Sequence, residues 1–264
     1  MKEKKCHNPT YSILHFKNQL GNPYFHFKQF SIWQEKSAMR VCTDSCIFGA
    51  YVSQAIQSQI SDGLATRVLD VGAGTGLLSL MLAQKLTNGK IEAIEPDMDS
   101  YLECKLNFEN SIWSDRIQVF NQNLTQFSNS SQNQFEIIVC NPPFFIDHLL
   151  SPSKSRNKAL HISKSDWEKW LSELKTLLIS KGQIWILLPK ENLKSSLEIG
   201  KKLGFQVSTR VDLCQKSTQY WRHILCLSEN PVLETTHFET QIYDQNKDLV
   251  PMLKTWLSDY YLKL

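Results

Sequence analysis

Val68-Leu69-Asp70-Val71-Gly72-Ala73-Gly74-Thr75-Gly76 is an apolar run that ends in three glycines at alternate positions, and Leu77 to Leu86 follows as an apolar helical stretch. Strand, glycine loop, helix is the order in which an open α/β sheet presents a ligand site, because residues without a Cβ let the backbone approach a bound molecule. The alternation continues downstream. Asn88-Gly89 turns into the strand Ile91-Glu92-Ala93-Ile94-Glu95, Pro96-Asp97 opens a helix through Glu109 with Pro96 in its first turn, and Ile117-Gln118-Val119-Phe120 is a third strand. Phe135-Glu136-Ile137-Ile138-Val139-Cys140 is a fourth, halted by Asn141-Pro142-Pro143-Phe144, since two consecutive prolines cannot donate to a sheet ladder.

Beyond that halt, Ser151 to Lys158 is basic and poor in apolar residues and reads as a long surface loop. Ser165 then begins a helix with Trp167, Trp170, Leu171, Leu174 and Leu178 on one face. A strand at Ile184–Leu188, a helix at Leu193–Leu203, a strand from Phe205 to about Leu213 and a last strand at Ile224–Leu227 complete the core, the final two as a hairpin. Upstream, Tyr24 to Phe30 alternates aromatic and polar residues as a half-exposed strand does, and Thr43-Asp44 starts a helix carrying Ile47, Phe48, Tyr51, Val52 and Ala55. The tail alternates again over Phe238–Ile242 and ends in an amphipathic helix with Leu249, Leu253, Trp256, Leu257 and Tyr260. The predicted fold is α/β: a doubly wound, mostly parallel sheet of seven strands in residues 61–264, preceded by a strand-plus-helix extension in residues 1–60.

Composition narrows the functional classes. The chain has 264 residues, enough for one large α/β domain with appendages, and its net charge of +3 permits a nucleic-acid partner without demanding one. No run approaches the ~18 apolar residues that span a bilayer, and Met1-Lys2-Glu3-Lys4-Lys5 is not followed by an uninterrupted apolar stretch, so neither membrane insertion nor secretion is expected. The cytoplasm is the expected compartment. Seven scattered cysteines show no zinc spacing, and no metal is expected; Cys140 and Cys226 lie in strand-like runs as small core residues.

The glycine loop alone is compatible with several nucleotide cofactors. The nicotinamide fingerprint sets its third glycine one residue later than Gly76, whereas a compact Gly72-x-Gly74-x-Gly76 with Asp70 two residues ahead is the pattern of S-adenosylmethionine enzymes. Glu95, ending the next strand nineteen residues after Gly76, can accept both hydroxyls of a ribose. Asn141-Pro142-Pro143-Phe144 narrows the chemistry. A conjugated amine is a poor nucleophile because its lone pair is delocalised. Two acceptors, the Asn141 side-chain oxygen and the Pro142 carbonyl, can take its two N–H protons, favour a pyramidal nitrogen and aim the lone pair at a methyl sulfonium. Phe144 offers a stacking face, worth roughly 1–3 kcal/mol per base in nucleic-acid sites. No strong general base is required, because the proton becomes acidic once the nitrogen is methylated.

Val68 to Gly76 together with Asn141 to Phe144 resembles the class I S-adenosylmethionine-dependent N-methyltransferases that act on adenine N6 or a glutamine amide, which have a Rossmann-like fold. Phe27-Lys28-Gln29-Phe30, Met39-Arg40-Val41-Cys42-Thr43-Asp44, the basic loop with Arg156 and His161, and the tail Trp256 to Leu262 are similar to the bacterial tRNA1(Val) adenine-37 N6-methyltransferases. The similarity covers nearly the whole chain. It implies S-adenosylmethionine as cofactor, a valine tRNA anticodon stem-loop as partner, and an N-terminal segment from Lys28 to Thr43 folded over the cofactor. Asn141, Pro142 and Phe144 are then catalytic, and Thr43, Asp70, Gly72, Gly74, Gly76, Glu95, Asn123 and Asn141 hold the cofactor. Lys28, Phe144, Arg156, Lys158 and His161 meet the substrate in an enzyme that works as a monomer. Two positions depart from the family pattern. Phe144 replaces the usual tyrosine and keeps the stacking face, and Asn123 stands where methyltransferases often carry an Asp for the cofactor's adenine amino group. The same four-residue logic also serves a release-factor glutamine methyltransferase or another RNA or DNA adenine enzyme, and a catalytically silent RNA-binding module is the non-enzymatic alternative.

Overall fold

Residues buried on both faces recur through the central strands, and that double burial is what a parallel sheet between two helical layers requires. The computed structural model describes residues 22–37, 39–59, 66–142, 145–146, 161–216 and 219–264. Its main sheet is built from β3 (Thr66–Val71), β4 (Gly89–Ile94), β5 (Ile117–Phe120), β6 (Phe135–Cys140), β9 (Leu178–Pro189), β10 (Gln206–Lys216), β11 (Gln219–Ser228) and β12 (Thr236–Gln241). Their spatial order is β12-β10-β11-β9-β6-β3-β4-β5. Only β11 runs against its neighbours. The seven predicted strands all form, and the alternating tail adds an eighth by pairing parallel to β10 along the edge.

Helices α1 (Thr43–Gln57), α2 (Leu77–Lys85), α3 (Met98–Glu109) and α7 (Pro251–Leu257) bring Ile47, Phe48, Met81, Phe108 and Leu257 to one face of the sheet, against Val68, Ile91, Val139, Trp185 and Ile224. The other face, with Leu69, Ile94, Ile138, Ile186 and Leu225, is covered by α4 (Leu124–Ser130), α5 (Lys164–Leu177) and α6 (Leu193–Lys202). Neighbouring residues of one strand thus enter different clusters, as the period of two demands. Helix α5 begins ahead of Ser165, capped by Ser163, whose hydroxyl accepts from the Asp166 N–H at 3.1 Å. In α3 the cap is Asp97, which leaves Pro96 outside the helix.

The N-terminal segment departs from the single strand expected over Tyr24 to Phe30. It is a hairpin of β1 (Tyr24–His26) and β2 (Ser31–Trp33), whose turn brings the rings of Phe27 and Phe30 into a stack at 4.5 Å, both buried. Alternation cannot bury two aromatics three residues apart on one side, and a turn can. The following loop is clamped to α3. The buried Glu103 carboxylate accepts from the N–H groups of Glu35 (2.7 Å), Lys36 (2.6 Å) and Ser37 (3.0 Å), and from the Ser37 hydroxyl. One turn on, Asn107 exchanges hydrogen bonds with the Trp33 backbone at 2.8 and 3.0 Å and donates to the Thr75 carbonyl at 2.9 Å, so the segment is tied to the glycine loop as well.

The C-terminal helix closes the same face, with Tyr260 fully buried and its hydroxyl bonded to Ser53 at 2.6 Å and to the Met81 carbonyl at 3.1 Å. Replacing Glu103 removes the common acceptor of the 35–37 loop. Glu103→Ala is expected to lower unfolding free energy by about 2–3 kcal/mol and to speed proteolysis between residues 22 and 40. Urea denaturation and limited proteolysis measure both, and a loss below about 0.5 kcal/mol with unchanged cleavage contradicts the clamp.

Candidate active site

Three parallel strands end side by side. Val71, the last residue of β3, pairs with Ile94 at the end of β4 and with Cys140 at the end of β6, so Gly72, Glu95 and Asn141 leave the sheet together. The chain crosses from β5 over to β6 on the other side of β3, which makes this edge the switch point of the doubly wound sheet, where a crevice opens at the strands' carboxyl ends.

The loop after β3 has positive φ at Gly72 (73°), Gly74 (56°) and Gly76 (86°). A side chain at Gly76 would drive its Cβ to 2.5 Å from Phe108 and 2.9 Å from the Cys104 sulfur, so this glycine lets α2 pack on α3. At Gly72 and Gly74 no described residue lies within 4 Å of where a Cβ would stand. The loop is held from the neighbouring strand. Gly72 and Ala73 N–H both donate to the Ile94 carbonyl, at 2.9 and 3.1 Å, and Gly74 N–H donates to the Glu95 carboxylate at 2.8 Å.

Two acids stand behind this loop. Asp70 is fully buried; its Oδ2 accepts from the Ser79 N–H at 3.1 Å and hydroxyl at 2.7 Å, while its Oδ1 has no hydrogen-bond partner among the described residues. Burial pushes its carboxyl up to about 7 against the two Ser79 hydrogen bonds, and the Glu95 charge adds to the rise. Glu95 is also raised, first by burial, although its carboxylate accepts from the Asp97 N–H at 2.9 Å and from Gly74. A buried acceptor without a donor beside an open glycine loop suits a cationic or hydrogen-bonding ligand group.

Asn141 is partly buried at the end of β6, and Pro142 is buried beside it. Asn141 Nδ2 donates to the Ser45 hydroxyl at 2.8 Å, and its Oδ1 accepts from no described residue. Ser45 belongs to the first turn of α1, so Thr43, which opens that helix, is brought to the same edge. Asp44 bridges α1 to β11 through Arg222, with Nε 3.0 Å from Oδ2.

The remaining expectations divide. Asn123 caps α4: its side-chain oxygen accepts from the Gln126 N–H at 2.9 Å, which leaves only the second lone pair for another donor. Asn121 is the residue that touches the Glu95 turn, donating to the carbonyls of Glu95 at 2.9 Å and Pro96 at 3.2 Å. Lys28 is not brought to this edge. Its ammonium donates to the Ser258 carbonyl at 2.5 Å, in the turn that also binds Gln84 and Lys85 at the end of α2 opposite the glycine loop, so it caps the C-terminal helix rather than facing Asn141. Phe144, Arg156 and Lys158 lie outside the described residues. The backbone of His161 pairs with Phe145 in a short parallel ladder of β7 (Phe145–Ile146) and β8 (His161–Ile162), next to the Asn-Pro-Pro-Phe motif in the chain. Ser45, Ser79, Asn107 and Asn121 escaped sequence reading because isolated polar residues in helices and turns carry no periodic or spacing signal.

The strand order and helical layers are those of class I S-adenosylmethionine-dependent methyltransferases. A Listeria monocytogenes protein described as one superposes with a TM-score of 0.59 over 82% of this chain and 73% of its own, at 13% identity. The family "Methyltransferase small domain" matches residues 39–197. A tRNA1(Val) (adenine(37)-N6)-methyltransferase of Dyadobacter fermentans is 35% identical over 92% of this chain and 98% of its own, and one of Cytophaga hutchinsonii is 32% identical over 93% and 100%. The chain belongs to the tRNA1(Val) (adenine(37)-N6)-methyltransferase family.

Asp70 gives the site a pH signature. A carboxyl whose folded pKa is raised contributes stability that is fully present below about pH 4 and is lost as pH rises through about 7. Thermal melts of the ligand-free protein are therefore expected to fall between about pH 5 and about pH 8 more steeply for wild type than for Asp70→Asn. Parallel curves for the two proteins contradict a raised Asp70.

Proposed function

We propose that this protein transfers a methyl group from S-adenosylmethionine to N6 of adenosine 37 in the anticodon loop of tRNA1(Val). The observation that carries the reading is the in-register exit of Gly72, Glu95 and Asn141 from three adjacent strands, with the Asn141 Oδ1 free of described partners. The family supplies the RNA; the motif by itself specifies a planar amine.

The cofactor fits the residues present. The faces at Gly72 and Gly74, clear of described residues, give room for close backbone approach, the Asp70 Oδ1 that has no described partner suits an ammonium or its bound water, and the Glu95 carboxylate suits ribose hydroxyls. Gly76 shapes the loop, while the hydroxyl of Thr43 and the second lone pair of Asn123 suit further polar contacts to the cofactor. When bound, S-adenosylmethionine supplies an electrophilic methyl on a sulfonium, so no metal is needed for the transfer. Asn141 Oδ1 and the Pro142 carbonyl receive the two N6 protons, and the donated pair of hydrogen bonds strengthens as positive charge grows on the nitrogen. Phe144 stacks on the adenine, and the proton leaves to water after transfer.

Within the extension over residues 1–60, the stretch 33–37 that Glu103 and Asn107 tie beside the glycine loop suits a cover over the cofactor, and residues 61–264 suit the catalytic domain. Arg156, Lys158 and His161 follow the motif closely in the sequence, and their basic character suits contact with the anticodon stem-loop phosphates. Extruding a loop adenine costs only a few kcal/mol. One chain carries both halves of the site, which suits a monomer. Among the described residues no helix is long and apolar enough to cross a membrane, and tRNA modification belongs to the cytoplasm.

A tRNA1(Val) transcript with adenosine 37 should accept methyl groups, and the same transcript with a purine lacking the exocyclic amine at that position should not. Asn141→Ala should lower turnover by about 100-fold or more with cofactor affinity nearly intact, while Glu95→Ala should chiefly weaken cofactor binding. Equal incorporation into both transcripts, or the two variants exchanging these effects, would overturn the reading.

A further inference from the structure

We propose that Ser45 is a positioning residue that decides which end of the Asn141 amide meets the acceptor nitrogen; this rests on the reading of Asn141 as receiver of the amine protons. An amide's oxygen and nitrogen are close in size, and packing alone does not distinguish them. The distinction matters here. With Oδ1 facing the amine, its N–H groups are received, whereas with Nδ2 facing it, donors meet donors and the amine stays planar.

Ser45 breaks the tie. Its hydroxyl oxygen receives the Asn141 Nδ2–H at 2.8 Å, and it lies 3.0 Å from the Cys42 sulfur, to which it can pass its own hydrogen. The hydroxyl thus offers Asn141 a lone pair and has another outlet for its proton. Ser45 is buried, so water does not substitute for it. Its position is fixed in turn. The Ser45 N–H donates to Asp44 Oδ1 at 3.1 Å, Asp44 Oδ2 accepts from Arg222 Nε at 3.0 Å, and the Arg222 guanidinium lies 4.8 Å from the Trp221 ring centroid. The acceptor at the end of β6 is oriented by a hydroxyl 96 residues earlier in the chain, anchored through Asp44 to the antiparallel strand β11.

Losing one hydrogen bond of this kind should lower kcat of Ser45→Ala by about 3- to 10-fold, with RNA KM and cofactor Kd within about twofold of wild type. A structural role is separated by the Asn141→Asp background. Aspartate presents acceptors at both ends and has nothing to orient, so there Ser45→Ala should change kcat by no more than about twofold. Ser45→Thr, which keeps the hydroxyl, should recover kcat relative to Ser45→Ala and decides the matter if the Asn141→Asp enzyme is too slow to compare. Unchanged kcat in Ser45→Ala, an equal loss in both backgrounds, or no recovery by threonine overturns the proposal. Wild-type protein inactive on the RNA would overturn the functional reading instead, and the Ser45 comparison is then run on the planar amine that it does methylate, including a release-factor glutamine amide.

Discussion

Parallel pairing of β3 with both β4 and β6 is the constraint on which the site depends. Parallel strands have no tight turn between them, so each must be followed by a loop and a helix on a face of the sheet. Register then decides which loop residues share the edge. Val71 opposes Ile94 on one side and Cys140 on the other, and a slip of one residue would turn Asp70 into the opposite cluster and separate Glu95 from the Gly74 N–H that it now receives at 2.8 Å. The core enforces this register because Leu69 and Val68, and likewise Ile138 and Val139, enter different faces.

The edge is not complete without the N-terminal segment. Glu103 and Asn107 of α3 gather residues 33–37 by their backbone and join them to Thr75, and α1 then delivers Ser45 to Asn141. A buried carboxylate with several donors is a strong tether, since its removal leaves those donors unpaired. The same economy governs Asp70. Ser79 satisfies one oxygen, the other is left without a described partner, and burial raises the carboxyl; the free protein carries a cost at this position that a bound cationic group can relieve.

Much of this is legible in the sequence alone. Doubly buried strands announce themselves as continuous apolar runs, and the glycine loop, Glu95 and Asn141-Pro142 are tied to strand ends that such runs delimit. Tyr24 to Phe30 misleads because period-two alternation does not distinguish one strand from a hairpin whose turn stacks Phe27 on Phe30. The partner of Lys28 is hidden for a related reason: its ammonium donates to the Ser258 carbonyl, 230 residues away, which no local pattern reveals. Ser45 and Ser79 are invisible because their importance lies in long-range hydrogen bonds. The eighth strand is visible as alternation, and its pairing with β10 is not, because edge pairing depends on which strand is left open by the rest of the sheet.

Asn141 and the glycine loop together present an adenine N6 of tRNA to S-adenosylmethionine. The most direct test is competition: the protein is given labelled S-adenosylmethionine and a mixture of tRNA, ribosomal RNA, DNA and release factor, and the labelled atom is mapped by mass spectrometry. Label is expected on N6 of the adenosine immediately 3′ of the anticodon in valine tRNA. Label on a release-factor glutamine, or on an RNA atom other than an exocyclic adenine nitrogen, would contradict it.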